Sequence, residues 1–299
     1  MYPALIRLLS FPLSGLGLGA IATATLAGVI ISITGTLGAM LALHNLAQQE
    51  LSKVGGIRAA FYLIAFPTGF VLAQVYTEGL FVGLSWGCLA FLNRKRWLVA
   101  ALLAAIATLT RSVGVALVIP LALAWVQEMM EDSVRFHWKR VRQGLLVTAP
   151  LLTYLVWKQS FWGGAFDIVE RQYFKCEPFA LSRAWVAWRD GFLALFGSNS
   201  QTMVYFMIEF GAIALGLIAC VFTLRRYPGI ATYGLVVIAI SMTCGVAQGM
   251  HRYVLVVPSV FLLLGQWGEN PAFDRAWTLG SIVLMGMLAT LFTFDLWVG

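Results

Sequence analysis

Residues 17–46 read GLGAIATATLAGVIISITGTLGAMLALHNL, a run without a single Asp, Glu, Lys or Arg. A helix rises about 1.5 Å per residue and needs roughly 20 apolar residues to cross the ~30 Å hydrocarbon layer of a bilayer. This run is long enough. It is also too long for the apolar core of a cleavable signal peptide, and Pro3 and Pro12 interrupt the residues ahead of it, so it reads as a membrane helix that starts outside.

Outward from that run, further apolar stretches fall at 57–67, 76–92, 97–111, 113–129, 143–159, 201–224, 229–247, 253–267 and 276–297. The stretch at 57–67 is short and is stopped by Pro67, so 57–75 reads as one helix with a break near its end. The expectation is an all-α, polytopic transmembrane helix bundle of eight or nine crossings, with 1–299 forming a single membrane domain. Composition agrees: 60% of the residues are hydrophobic and 11% charged, whereas soluble domains carry about a quarter charged residues.

The net charge of +7 does not point to nucleic acid, because the basic residues sit in short clusters between apolar runs. Lys53 and Arg58, Arg94 to Arg96, the 131–142 connection, Arg225-Arg226 and Arg275 fall on alternate connections, which marks those as cytoplasmic. Residues 1–16, 67–76, 160–200 and 248–252 then share the outer face. Trp97, Trp125, Trp157, Trp267 and Trp277 stand near run ends, as interfacial anchors do. Cys88, Cys220 and Cys244 lie in apolar runs, Cys176 lies in a polar stretch, and no CxxC pair occurs, so neither a disulfide nor a zinc or redox motif is expected.

Ionisable groups are costly inside a bilayer, so those present are candidates for function. Glu78 stands sixteen residues above Arg94, Arg111 sixteen above Lys95, and Arg252 fifteen from Trp267. Helix rise puts all three roughly 24 Å above the cytoplasmic border, in one layer near the outer face. The layer is either a network that ties helices together, with arginines reaching the headgroups, or a cavity in which guanidiniums hold a phosphate and a carboxylate orients a hydroxyl. Gly79, Gly83 and Gly87 repeat every four residues, a small-residue face for close helix packing. The 160–200 connection mixes aromatics with charges, which suits short helices lying at the interface. Asp167 and Glu170 are its acids beside the Gly163-Gly164 turn. His44, His137 and His251 form no metal-ligand pattern, and Glu209 sits in an apolar run with no obvious partner.

Four stretches together resemble a known family. Phe66-Pro67-Thr68-Gly69-Phe70 with Val75-Tyr76-Thr77-Glu78, Ala107-Thr108-Leu109-Thr110-Arg111-Ser112-Val113-Gly114, Gly163-Gly164-Ala165-Phe166 to Gln172, and His251-Arg252-Tyr253-Val254-Leu255 are similar, in order and spacing, to the PIG-V-type mannosyltransferases of GPI-anchor biosynthesis and their bacterial relatives. The resemblance implies a GT-C fold and transfer of a hexose, mannose, from a polyprenyl-phosphate sugar donor to a glycolipid or glycan acceptor. The reaction face would be the ER lumen or the outer face of a bacterial plasma membrane. The candidate substrate- and phosphate-binding residues are then Tyr76, Arg111, Gln172, His251, Arg252 and Tyr253, and the candidate catalytic carboxylates are Glu78 and Asp167, which could reach over the cavity. No organic cofactor is implied, although a divalent cation assists some relatives. Family members carry a further helix and an aspartate-bearing loop, the expected base, ahead of a stretch like Tyr2 to Leu9, so this chain is expected to be N-terminally truncated. Two other classes stay open: a transporter or lipid flippase with the charged layer as its substrate site, and a noncatalytic homologue.

Overall fold

The computed structural model describes residues 1–48, 51, 53–131, 138–177 and 179–294. Residues 132–137 of the expected basic connection, His137 among them, and residues 295–297 of the last apolar run lie outside the described residues. Every regular element among the described residues is helical. In chain order these are α1 (Tyr2–Leu13), α2 (Ala20–Ala47), α3 (Lys53–Ile64), α4 (Glu78–Asn93), α5 (Trp97–Thr110), α6 (Val118–Glu131), α7 (Trp138–Val147), α8 (Ala149–Gln159), α9 (Phe161–Gln172) and α10 (Leu181–Ala194). They are followed by α11 (Ser200–Thr223), α12 (Pro228–Met242), α13 (Met250–Val254), α14 (Pro258–Trp267) and α15 (Pro271–Thr293), with short 3-10 turns at Gly69–Ala73 and Ser112–Leu117.

Four helical stretches among the described residues are long and apolar enough to cross a membrane: Ala20–Ala47, Ser112–Met130, Ser200–Thr223 and Pro271–Thr293; Glu78–Asn93, Trp97–Thr110 and Pro228–Met242 are apolar but shorter. Large side chains on the outside of the bundle, such as Phe11, Ile21, Leu98 and Val283, are exposed rather than buried. That is the arrangement expected where the surrounding medium is lipid. The interior is filled by Trp86, Phe81, Tyr62 and Phe261, all without exposure.

Two of the apolar runs read as single helices are broken. The run at 253–267 divides into α13 and α14 because Pro258 lacks an N–H and stands at the first position of α14, where none is needed. The carbonyl of Val256 in the break is used by the buried Trp86 Nε1–H at 2.9 Å. The run at 143–159 divides at Thr148, with Pro150 in the first turn of α8. The expected break near Pro67 is present, and α3 gives way to the 3-10 turn at Gly69–Ala73. The 160–200 connection holds two short helices, α9 and α10, and its apolar residues Phe161, Trp162, Phe192 and Phe196 are exposed.

The glycine face of α4 packs on α2, but only in part. A Cβ at Gly79 would overlap the Ser32 carbonyl oxygen, and one at Gly83 would overlap that of Gly35 and lie 2.9 Å from its carbon. Gly87 faces α5 instead, where a Cβ would meet Leu103 Cδ1 at 3.4 Å. Backbone cannot yield as a flexible side chain can. Gly83→Ala is therefore expected to cost about 1–3 kcal/mol, while Gly87→Ala stays within about 1 kcal/mol of wild type because a methyl there also favours helix. Melting temperatures in detergent check this, and equal values for the two variants would contradict the α2–α4 contact.

Candidate functional site

Glu78 opens α4 and has no exposed surface. Arg111 ends α5 in an extended conformation, which turns its side chain off the helix axis. Arg252 rides on α13. The three side chains expected at one height are in contact. Glu78 Oε1 accepts from Arg111 Nη1 at 2.5 Å, from Arg252 Nε at 3.1 Å, and from Arg252 Nη2. Its second oxygen, Oε2, is buried and has no hydrogen-bond partner among the described residues.

One carboxylate facing two guanidiniums leaves the cluster with one net positive charge. Each guanidinium is also laid against an aromatic face, Arg252 4.6 Å from the Tyr76 ring centre and Arg111 4.9 Å from that of Tyr253, an arrangement that orients a cation and favours it. The side chains of Arg111 and Arg252 keep 16% and 17% exposure while Glu78 keeps none. The positive groups are thus the reachable part of the cluster.

Glu209 of α11, for which the sequence offered no partner, holds α13 in place. Its Oε1 accepts from the Gly249 N–H at 2.7 Å and from His251 Nδ1–H at 3.0 Å; its Oε2 accepts from the N–H groups of Met250 at 2.7 Å and His251 at 3.3 Å. A negative group on the free N–H groups of a helix start is electrostatically favoured. From the other side, Thr68 Oγ1 donates to the His251 carbonyl at 3.3 Å. His251 is thus a buried structural neighbour of Arg252.

Tyr76 is fixed through its backbone. Ser32 Oγ of α2 donates to the Tyr76 carbonyl at 3.0 Å and is itself 2.9 Å from the Tyr2 hydroxyl, which donates to the Gly28 carbonyl. Tyr2 and Ser32 escaped the sequence reading because Ser and Tyr in apolar runs are common, and neither marks a site by itself.

The two acids of α9 divide. Asp167 pairs with Lys158 at 3.1 Å and with Arg171, one helical turn on, at 3.2 Å. Glu170 is half-buried; burial pushes its carboxyl above the ordinary value and Asp167 adds to this, while Lys158 and Arg111 oppose it. Glu170 therefore lies within the field of the charged layer. Gln172 is exposed at the end of α9. Among the described residues, no group of three or more His, Cys, Asp or Glu gathers where it could hold a metal ion.

No family model, no curated protein and no solved structure matches this chain.

Proposed function

We propose that the chain is a membrane glycosyltransferase that moves a hexose, mannose, from a polyprenyl-phosphate sugar to a glycolipid or glycan acceptor. The observation that carries this reading is the buried cluster of Glu78, Arg111 and Arg252, with its net positive charge and its two reachable guanidiniums. Such a pair binds a phosphate bidentately, and a phosphate would neutralise the excess charge. The bundle around it is apolar enough to sit in lipid, where a polyprenyl donor resides. An open groove lined by Leu5, Leu8, Leu9, Phe11, Pro12 and Ile31 begins one helical turn from Tyr2 and adjoins Ser32, and it suits the donor's isoprenoid tail.

In this reading the acceptor hydroxyl attacks the anomeric carbon as the bond from that carbon to the phosphate oxygen breaks. The electron pair leaves with the phosphate, and Arg111 and Arg252 stabilise the charge that develops there. Glu78 sets the position of both guanidiniums from beneath. The hydroxyl proton passes to a carboxylate, for which α9 offers Asp167 and Glu170. The chain would cross a bacterial plasma membrane or the ER membrane eight or nine times, with the cluster near the outer or luminal side.

Membranes containing the chain are expected to transfer labelled sugar from a polyprenyl-phosphate donor into lipid-extractable or glycan product. Arg111→Ala and Arg252→Ala should each lower the rate by about 10²–10³, as loss of a transition-state charge partner does elsewhere. Unchanged transfer in both variants would refute the site, and proteoliposome uptake without glycosyl product would replace the reading with transport.

A further inference from the structure

We propose that Cys176 and Cys244 form a disulfide that straps the connection between α9 and α10 to the turn ahead of α13. The two cysteines are sixty-eight positions apart and share no motif, yet three contacts bring their segments together. The Glu177 N–H donates to the Cys244 carbonyl at 2.7 Å. Gly245, next in the chain, has φ +97° and faces the start of α10, where a Cβ on it would lie 3.2 Å from Ala180 Cβ and 3.6 Å from Arg183 Cβ. Trp188 Nε1–H of α10 donates to the Met242 carbonyl at 3.0 Å.

Cys176 precedes Glu177, so the Glu177–Cys244 backbone bond sets the two cysteines side by side; the Cys244 thiol points at the Val246 carbonyl at 4.0 Å, and both cysteines are half-buried. Cys88 and Cys220 are buried within α4 and α11. The neighbouring Cys176 thiol holds that of Cys244 down to about 7 against the effect of burial, while Cys244 and burial push that of Cys176 up, so Cys244 is the more readily ionised of the two. A readily ionised thiol with a second thiol beside it is the arrangement that disulfide exchange requires.

The step balances with a disulfide oxidant, oxidised glutathione or the disulfide of a dithiol oxidase. Cys244 thiolate attacks one oxidant sulfur and expels the first thiolate. Cys176 then loses its proton, and its sulfur displaces the second thiolate from the mixed disulfide. The protein gives up two electrons and two protons, and the oxidant becomes two thiols. In the dithiol form, exposed ion pairs of Glu177 with Arg171 and Arg183 help hold this segment, and such pairs are weak. The covalent strap fixes the segment against the turn that leads to Arg252 and Tyr253. It stands whether or not sugar transfer is the chain's activity.

The test uses the purified full chain in detergent, treated with oxidised glutathione, quenched with N-ethylmaleimide and digested with trypsin without reduction. Peptide 176–183 joined to peptide 227–252 is the expected product. In a parallel sample freed of glutathione and not treated with N-ethylmaleimide, maleimide-polyethylene glycol should add after denaturation at two cysteines before reduction and at four after it. In Cys176→Ser, glutathione should stall on Cys244. Four reactive thiols without reduction, or glutathione stalled on both cysteines of the wild type, would overturn the proposal.

Discussion

Glu78→Ala is expected to destabilise the bundle by about 3–5 kcal/mol, more than either arginine substitution at the same cluster. The reason is the count of charges left behind. Removing Glu78 takes away the carboxylate between Arg111 and Arg252, two cations that are mostly out of water and that then repel each other. Removing one arginine leaves a carboxylate with a single guanidinium, a neutral pair that still satisfies Oε1. The aromatic faces of Tyr76 and Tyr253 soften the loss but do not replace an anion. Melting temperature in detergent should therefore rank wild type above Arg111→Ala and Arg252→Ala, and these above Glu78→Ala. Phosphate added at millimolar concentration should recover part of the Glu78→Ala loss, since an anion can take the empty place. A Glu78→Ala protein as stable as either arginine variant would mean that the cluster is not held together by its carboxylate.

What could be read from the chain was whatever depends on regular helix geometry. Glu78 and Arg111 lie at the ends of unbroken helices counted from clear basic borders, so a constant rise per residue brings them to one level. Arg252 was reached by the same count, although its run is broken at Pro258. The break spans few residues and does not move Arg252 out of contact. That break was hidden because a proline at a helix's first position fits the pattern of a continuous apolar run. Glu209 was invisible for a different reason: its partners are backbone N–H groups and one histidine about forty residues away, and backbone groups leave no mark in a sequence. Cys176 and Cys244 escaped similarly, since spacing rules see only cysteines close in the chain. The acids of α9 show the limit of composition. Asp167 and Glu170 are equivalent by sequence, and only the orientation of α9 separates the one held by Lys158 and Arg171 from the one within the field of Arg111.

Glu209→Ala should be comparably damaging, although the bonds of Glu209 go to His251 and to backbone rather than to the two guanidiniums proposed to hold phosphate. Its carboxylate accepts from three consecutive backbone N–H groups and from His251 Nδ1–H, all buried. α13 is five residues long, too short to persist on its own hydrogen bonds, so its start depends on that anion. Alanine would leave buried donors unpaired at about 1–3 kcal/mol each, for a total on the order of 3–5 kcal/mol after local relaxation. Glu209→Gln keeps one acceptor oxygen and turns the other into a donor facing N–H groups, so it should fall between. His251→Ala retains all three backbone bonds and should cost least. A second consequence separates positioning from mere stability. Arg252 follows His251 on the same short helix, so loosening α13 displaces one of the two phosphate partners while Arg111, on α5, stays. Below their melting temperatures, Glu209→Ala and Glu209→Gln should thus raise the KM for the polyprenyl-phosphate donor, whereas Gly83→Ala, destabilised elsewhere, should not. If Glu209→Ala melts with the wild type, or if the two classes of variant raise KM alike, then α13 is held by its apolar neighbours and Glu209 does not position Arg252.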